Sequence, residues 1–108
     1  MNTSYFAHYR GQDGVAITAY KPPFFKGDWY PALAPSKDLL ARYKAGTVDD
    51  EGYTTEFTKY LATLDVEAIW RDLGDKVLLC YESPEKFCHR HLVAVWIRDS
   101  LGKKIDEI

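Results

Sequence analysis

The positions of apolar residues in the middle of the chain predict two helices. Ser36 is suited to capping a short helix that runs through about Lys44, and Gly46 is placed to end it. Thr47 is then suited to capping the clearest helix in the sequence. Apolar residues recur there at i, i+4, i+7, i+8 and i+11, a spacing that makes one apolar stripe. The members of this stripe are Tyr53, Phe57, Tyr60, Leu61 and Leu64.

Two further helices are predicted towards the end of the chain. Asp65 is suited to capping a short helix that Gly74 closes. The last helix is predicted from Cys88 to Gly102, because glycine is a common residue just after a helix. When this helix is drawn at about 100° per residue, its apolar side chains cover one arc and His91 falls on the opposite arc. We therefore expect His91 to lie on the solvated surface.

Strand-like segments occur near both ends of the chain and before the last helix. Segments 4–10 (SYFAHYR) and 15–20 (VAITAY) are separated by the turn residues GQDG, so they form either a hairpin or two strands that do not pair with each other. The continuous apolar run 76–81 (KVLLCY) is typical of a strand that is buried on both faces. The tail 103–108 is placed to add an edge strand. These elements predict an α/β fold in which residues 1–108 form one small domain, with a short, mainly parallel sheet flanked by about four helices.

The segment 21–36 has four prolines, several aromatic residues and no clear period. A connection of this length without secondary structure of its own is usually functional or folded over the core. Together with Tyr20, the side chains of Lys21, Lys26 and Trp29 could stack on and clamp a base or nucleotide. The alternative is that the aromatic residues only cover the core, and the sequence leaves open whether this segment is a lid or a cover.

Composition and charge narrow the class of protein. The chain has 108 residues, 46% hydrophobic and 15% aromatic, which is enough for one packed core. Its net charge of −2 gives no basic field that would attract nucleic acid or an anionic membrane. Two cysteines do not make a disulfide scaffold, the N-terminal residues do not resemble a signal peptide, and no apolar run is long enough to span a bilayer. We therefore expect a cytoplasmic protein with reduced thiols, whose acidic clusters at 49–51 and 106–107 are solvated.

The sequence Cys88-His89-Arg90 places the most reactive side chains at the start of the last helix. A cysteine near the N-cap lies where backbone N–H groups and the helix dipole stabilise a thiolate or a bound anion. Arg90 adds a planar fork suited to phosphate or carboxylate, and Glu82, at the end of the preceding strand, is a natural partner for His89 or Arg90. The competing interpretation is structural: a buried cysteine, an Arg90–Glu82 ion pair, and a histidine that caps a loop carbonyl.

The sequence disfavours both a metal site and a disulfide. Cys80, Cys88, His89 and His91 could supply four zinc ligands, but their spacing matches no standard structural site, and adjacent side chains diverge on a helix. A disulfide between Cys80 and Cys88 would need the intervening loop to fold back tightly, and a reducing compartment opposes it. We predict no metal and no cofactor.

Four segments of the chain resemble one known family. They read GVAITAYKPP near the start, then ALAPSKDLL, YTTEFTKYL and VLLCYESPEKFCHRHLVAVWI, in the family's order and across almost the whole chain. On these segments the chain resembles the bacterial and phage family known as domain of unknown function 488. The resemblance implies a compact α/β domain with Cys88, His89 and Arg90 in the motif positions and Glu82 beside them. It implies no particular reaction.

These observations support three hypotheses about function. In the preferred one, the protein binds an anionic, nucleotide- or phosphate-like small molecule at the Cys-His-Arg helix N-terminus. The ligand-binding residues would then be Arg90, Glu82, Lys21, Tyr20 and Trp29. In the second, the protein is a thiol-dependent enzyme with Cys88 as the nucleophile and His89 as its base or orienting group. In the third, it is a protein-interaction module, such as a small phage-encoded inhibitor, that uses the aromatic loop 20–34.

Overall fold

The computed structural model describes all 108 residues and contains five strands and four helices. In chain order the strands are β1 (Asn2–Tyr5), β2 (Gly14–Ala16), β3 (Asp28–Trp29), β4 (Val77–Cys80) and β5 (Asp106–Glu107). The helices are α1 (Lys37–Lys44), α2 (Asp50–Leu61), α3 (Val66–Leu73) and α4 (His89–Leu101). The predicted α/β class is therefore confirmed. None of the helices combines the length and the apolar character needed to cross a bilayer.

The five strands form one parallel sheet in the order β3-β2-β4-β1-β5. β4 lies at its centre and is buried along its whole length, as the apolar run predicts. Because β1 and β2 pair with β4 on opposite sides, they do not form a hairpin, and the alternative of two strands that do not pair with each other is confirmed. The register places Tyr5 beside Cys80 and Ala16 beside Leu79. The carboxyl ends of the three central strands therefore lie at the same edge of the sheet.

The caps of the first two helices differ in how well the sequence predicts them. Ser36 caps α1, where its hydroxyl accepts a hydrogen bond from the N–H of Leu39 at 3.0 Å. The prediction that Thr47 caps α2 is wrong. Asp49 is the cap, and its carboxylate accepts from the N–H of Gly52 at 2.8 Å, where the helix dipole also favours a negative charge. The hydroxyl of Thr47 instead donates to the carbonyl of Arg42 in α1 at 3.0 Å.

The bounds of the last two helices agree with the sequence. Asp65 caps α3 and accepts from the N–H of Ala68 at 3.1 Å. Cys88 is the N-cap of α4, but its side chain makes no capping hydrogen bond. Gly102 ends α4 in the left-handed conformation at φ 66°, which glycine adopts without the steric cost that a Cβ atom brings.

All four helices and the sheet share one hydrophobic core. Burying a large apolar side chain contributes about 1.5–3 kcal/mol, so this cluster is a main source of stability. In the stripe on α2, Tyr53, Phe57 and Leu61 are buried, whereas Tyr60 is 38% exposed. The full cluster consists of Val15, Ile17, Leu33, Leu39, Tyr53, Phe57, Leu61, Ile69, Leu73, Leu78, Val93 and Ile97.

Segment 21–36 is more ordered than the sequence suggests. It contains β3 and a single 3-10 turn at Pro31–Leu33. The indole N–H of Trp29 donates to the carbonyl of Thr18 at 2.8 Å, which ties the segment to the chain that follows β2. Leu33 is completely buried in the core. The sequence does not predict β3, because a strand of two residues is too short to show an alternation of apolar and polar positions.

Candidate functional site

A cavity of about 340 Å³ opens at the carboxyl edge of the sheet. It lies where the chain leaves β2 and β4 and where α4 begins, with α1 and the start of α2 as its opposite wall. In parallel α/β sheets, ligands bind in crevices outside the carboxyl ends of the strands. The cavity is lined by Thr18, Ala19, Tyr20, Pro35, Leu40, Tyr43, Lys44, Tyr53, Cys80, Tyr81, Glu82, Phe87, Cys88 and His89.

Cys80 and Cys88 form a disulfide beside this cavity. The prediction of two reduced thiols and no disulfide therefore does not describe this structure. The reason lies in the connecting loop, where a turn closed by the hydrogen bond from Lys86 N–H to the Ser83 carbonyl at 3.0 Å returns the chain over the end of β4. The Cα atoms of the two cysteines are 7.5 Å apart.

His89 is buried and held in a defined orientation. Its Nε2–H donates to the carbonyl of Ile17, just beyond β2, so its Nδ1 carries the lone pair. Nδ1 lies 3.8 Å from Sγ of Cys88. Burial lowers the pKa of His89 to about 4, with the neighbouring charges of Arg90 and His91 acting in the same direction and the Ile17 carbonyl opposing them. The imidazole is therefore neutral at pH 7.

The side chains of Cys88 and His89 converge, contrary to the prediction that adjacent residues diverge. Cys88 has extended backbone angles of φ −150° and ψ 142°, so it does not follow the angular step of the helix. As a result, the sulfur atoms of Cys80 and Cys88 and a ring nitrogen of His89 all lie within 4.8 Å of one another.

Arg90 is completely buried and is already paired within the protein. Its Nε and Nη2 donate to the two carboxylate oxygens of Glu107 at 3.0 and 2.9 Å. Its Nη1 donates to Sγ of Cys80 at 2.8 Å and to the backbone carbonyl of Glu82 at 2.6 Å. The expected ion pair with the Glu82 side chain is therefore wrong: Glu82 offers its carbonyl, and the carboxylate comes from Glu107. The guanidinium does not line the cavity.

Glu107 is exposed, as expected of a tail residue, but its carboxylate is paired with Arg90, which the sequence does not predict. β5 pairs in parallel with β1, which sets Glu107 beside Thr3, and the Thr3 hydroxyl donates to the carboxylate at 2.7 Å. Burial raises the pKa of Glu107, but the hydrogen bonds from Arg90 and Thr3 outweigh it and hold the pKa below its usual value. The predicted edge strand thus supplies the counter-charge of the motif arginine.

A comparison with protein families covers most of these elements. The model of the family DUF488-N3a, described as the active DUF488-N3 subclade, matches residues 14–101. The chain belongs to this family. The match runs from β2 through α4 and includes Cys80, Cys88, His89 and Arg90, whereas Glu107 lies outside it. Among curated proteins and among solved structures, no match to the chain is found.

His91, the next residue of the DUF488-N3a motif helix, is not solvated as predicted. The side chain is half-buried and its Nε2 has no hydrogen-bond partner. Burial and the charge of Arg90 lower the pKa of His91, and the charge of Glu107 opposes them. His91 lies opposite the apolar arc of α4, as the sequence predicts. The positions along the helix do not show that Glu107, from the far end of the chain, lies near this side of α4.

The aromatic-loop residues predicted as ligand contacts do not all reach the cavity. Tyr20 lines it, with the ammonium of Lys37 4.6 Å from the ring centre. Lys21 is exposed outside the cavity, and Trp29 lies at the sheet edge, also outside it. The hypothesis of a protein-interaction module stays a prediction: Phe24 is 58% exposed, and it also packs edge to face on another aromatic ring of the chain.

Two tyrosines of the cavity escaped the sequence reasoning, because both belong to apolar helix faces. The hydrogen bond to Asp50, followed by burial, raises the pKa of Tyr43 to about 12. Burial also raises the pKa of Tyr53 well above its usual value. Glu82 lines the same cavity, and its negative charge contributes to the raised pKa of both tyrosines. The one signal in the sequence is that tyrosine occupies these apolar helix positions, where leucine would pack equally well. The hydroxyl group of each tyrosine therefore indicates a polar neighbour.

Proposed function

We propose that the protein binds a small molecule with a flat ring and an anionic group, of nucleotide type, in the cavity at the carboxyl edge of the sheet. The observation that carries this proposal is the position of the cavity, which is bounded by the ends of two parallel strands and by the first residues of α4. This arrangement is a frequent phosphate and nucleotide site, because the free N–H groups of a helix N-terminus point at the ligand. A volume of about 340 Å³ suits one small ligand.

Side chains in the cavity offer contacts for each part of such a ligand. The rings of Tyr20 and Tyr43 supply flat surfaces for stacking, with the buried ring of Tyr53 behind that of Tyr43. Lys44, at the end of α1, supplies a positive charge at the rim. The carboxylate of Glu82 repels an anion but accepts hydrogen bonds from hydroxyl groups, as an acidic residue does from ribose in dinucleotide sites. Binding would thus rest on Lys44 and the α4 amides for the anion, and not on the buried Arg90.

The test is calorimetric titration of the full chain with a nucleoside monophosphate, the matching nucleoside and inorganic phosphate. We expect the nucleotide to bind most tightly, because it alone combines ring and anion. Lys44→Ala should weaken nucleotide binding about 2- to 5-fold, the effect of one exposed charge contact, and leave nucleoside binding unchanged. Tyr43→Leu should weaken both.

Two matched variants serve as controls for this titration. Lys59→Ala removes an exposed lysine from α2, and Tyr60→Leu removes a partly exposed tyrosine from the same helix; neither residue lines the cavity. Neither should change the affinity. The proposal would be wrong if no phosphate-bearing ligand gave a heat of binding. It would also be wrong if Lys44→Ala and Lys59→Ala bound the nucleotide with the same affinity.

A specific observation favours a second function, that of a thiol-dependent enzyme. After reduction of the disulfide, Sγ of Cys88 faces the lone pair of Nδ1 of His89, while the Ile17 carbonyl holds the other nitrogen. A nucleophile, a base and a group that orients the base is the arrangement that activates thiols. The family description, active DUF488-N3 subclade, supports a catalytic function as well.

The thiol hypothesis is tested by alkylation with iodoacetamide at pH 7. Cys80→Ser leaves Cys88 as the one thiol of the chain, and Cys88→Ser leaves Cys80. We expect Cys88 to react faster than Cys80, and His89→Gln to slow the reaction of Cys88 about a hundredfold, the lower end of the range for base catalysis. Equal rates with and without His89 would exclude it as the base.

A further inference from the structure

Three donor atoms that zinc prefers meet at the floor of the cavity. Sγ of Cys80, Sγ of Cys88 and Nδ1 of His89 lie within 4.8 Å of one another, and all three residues are buried. We propose that the reduced protein binds a divalent ion of the zinc type through these three side chains, with the fourth position open to the cavity. Two thiolates and one imidazole, completed by water or substrate, form a ligand set that zinc uses in catalytic sites.

The surroundings of His89 match those of a metal ligand. A histidine that binds a metal usually donates its other ring N–H to a backbone carbonyl or a carboxylate, which fixes the tautomer and directs the lone pair. In this chain the Nε2–H of His89 donates to the Ile17 carbonyl, and Nδ1 is directed at the sulfur of Cys88. The ring also packs edge to face on Phe57, with 5.7 Å between the centroids. The imidazole is therefore held for binding before an ion arrives.

The sulfur of Cys80 has a partner of the kind that supports a thiolate ligand. Nη1 of Arg90 donates to it at 2.8 Å. Because the carboxylate of Glu107 pairs with the same guanidinium, Arg90 brings little net charge towards a cation. Two thiolates would balance the charge of the ion itself.

Distances within the cluster suit tetrahedral coordination once the disulfide is reduced. Zn–S and Zn–N bonds of about 2.3 and 2.0–2.1 Å set the donors of one ion roughly 3.5–3.8 Å apart. Sγ of Cys88 and Nδ1 of His89 are 3.8 Å apart. Reduced sulfurs move apart to the usual separation of non-bonded heavy atoms, about 3.5–4.0 Å. The Cα separation of 7.5 Å exceeds the range of about 4.4–6.8 Å that is usual for disulfides, so the backbone leaves room for an ion between the sulfurs.

Binding and reduction are separate, balanced steps. A phosphine reductant gives two electrons to the Cys80–Cys88 bond and becomes the phosphine oxide, with water supplying the oxygen and two protons for the thiols. The ion then displaces those two protons to solvent as it binds the thiolates. An ion held in this way would face any molecule in the cavity and could polarise it as a Lewis acid. A thiolate bound to the ion is not free to attack a substrate, so this site and a Cys88 nucleophile exclude each other.

The proposal is tested by titrating the reduced full chain with Co²⁺, a spectroscopic probe for zinc, without oxygen and without any cavity ligand. We expect one ion per chain, thiolate-to-cobalt charge-transfer absorption and the intense visible bands of tetrahedral cobalt, all lost on addition of Zn²⁺. Cys80→Ser and Cys88→Ser should each halve the charge-transfer absorption. His89→Ala should weaken binding about tenfold or more, the scale of disturbed metal sites.

His91→Ala is the matched control, because it removes a neighbouring imidazole of α4 that does not belong to the cluster. Its spectrum and affinity should equal those of the wild type. X-ray absorption spectroscopy of the wild-type zinc complex is a second test that needs no variant. We expect two sulfur atoms at about 2.3 Å from the zinc ion and lighter atoms at about 2.0–2.1 Å. Absence of charge-transfer absorption, or a zinc shell of oxygen and nitrogen alone, would overturn the proposal. Either result leaves the ligand titration of the cavity unaffected.

Discussion

Arg90 is a motif residue whose guanidinium is buried and fully engaged by contacts within the protein. A buried guanidinium is tolerated only when its donors are satisfied, and here they reach the Glu107 carboxylate on β5, the Cys80 sulfur at the end of β4 and the Glu82 carbonyl just after β4. The side chain thereby joins α4 to β4 and β5. Its position behind Cys80 also orders the floor of the cavity, because the same Nη1 contacts the sulfur and the Glu82 carbonyl.

Replacement of Arg90 should therefore be costly to the fold. We expect Arg90→Met to lower the free energy of unfolding by about 2–3 kcal/mol, because buried acceptors lose their donor and the 25% exposed carboxylate of Glu107 keeps only the Thr3 hydroxyl. Urea unfolding measures the change. Arg98→Met, which breaks an exposed pair with Asp99, should cost less than about 0.5 kcal/mol.

The double variant Arg90→Met/Glu107→Gln separates pairing from packing. It should be more stable than Arg90→Met alone, since the unpaired charge is gone. A loss below about 1 kcal/mol in the single variant, or strictly additive losses in the double one, would contradict the importance of this pair.

Sequence reasoning located the reactive residues but misjudged their partners. Cys88, His89 and Arg90 stand at the start of α4, as the pattern predicts. That Glu107, and not Glu82, faces Arg90 follows from the pairing of β5 with β1, a contact between chain ends that no local spacing encodes. The convergence of Cys80 and Cys88 likewise depends on a turn in the loop that propensities do not specify.

At the scale of elements, α1 matters because it forms a wall of the cavity. Leu40, Tyr43 and Lys44 project from it towards the strand ends. An eight-residue helix is too short to be stable alone, so its cap and its packing decide whether this wall is ordered. The capping hydroxyl of Ser36 therefore contributes to the site although it lies outside the cavity.

Substitutions at Ser36 test this contribution. Ser36→Ala should lower the free energy of unfolding by about 1 kcal/mol, because the N–H of Leu39 loses its acceptor. Ser36→Asp keeps an acceptor at the positive end of the helix dipole and should retain the stability. Chemical denaturation measures both, with Ser100→Ala on the exposed side of α4 as a control that should change within about 0.5 kcal/mol. If Ser36→Ala and Ser36→Asp lowered the free energy of unfolding equally, the loss of the capping hydrogen bond would not be the cause of the destabilisation.

Elements with strong local signals were predicted well. The caps of α1 and α3, the buried strand β4 and the glycine that ends α4 all carry such signals. The two-residue strands differ in this respect: β5 was anticipated from its place in the tail, whereas β3 was missed in the proline-rich segment. A strand of two residues is defined by its neighbour in the sheet, and that neighbour is visible only in the folded molecule.

At the scale of the whole molecule, the sheet order explains why the site lies where it does. β4 is central, and β1 and β2 on either side come from earlier in the chain, so the loop after β4 meets the ends of both neighbours. The parallel α/β class was predictable from a buried strand followed by a helix. The order of the strands was not, because the first two strands are compatible with a hairpin by sequence alone.

The Cys80–Cys88 bond closes the loop between β4 and α4, so its reduction should lower the stability of the whole protein. With the two cysteines 8 positions apart, chain entropy gives the bond about 2.5 kcal/mol, and we expect a reductant to lower the Tm by about 10 °C. Scanning calorimetry measures the shift, and thiol titration should show that no thiol is free before reduction. The double variant Cys80→Ser/Cys88→Ser should melt at one temperature with and without reductant. An unchanged Tm in wild type after both thiols appear would mean that packing alone holds the loop over β4. In that case the cluster would be preformed for an ion rather than held by the disulfide.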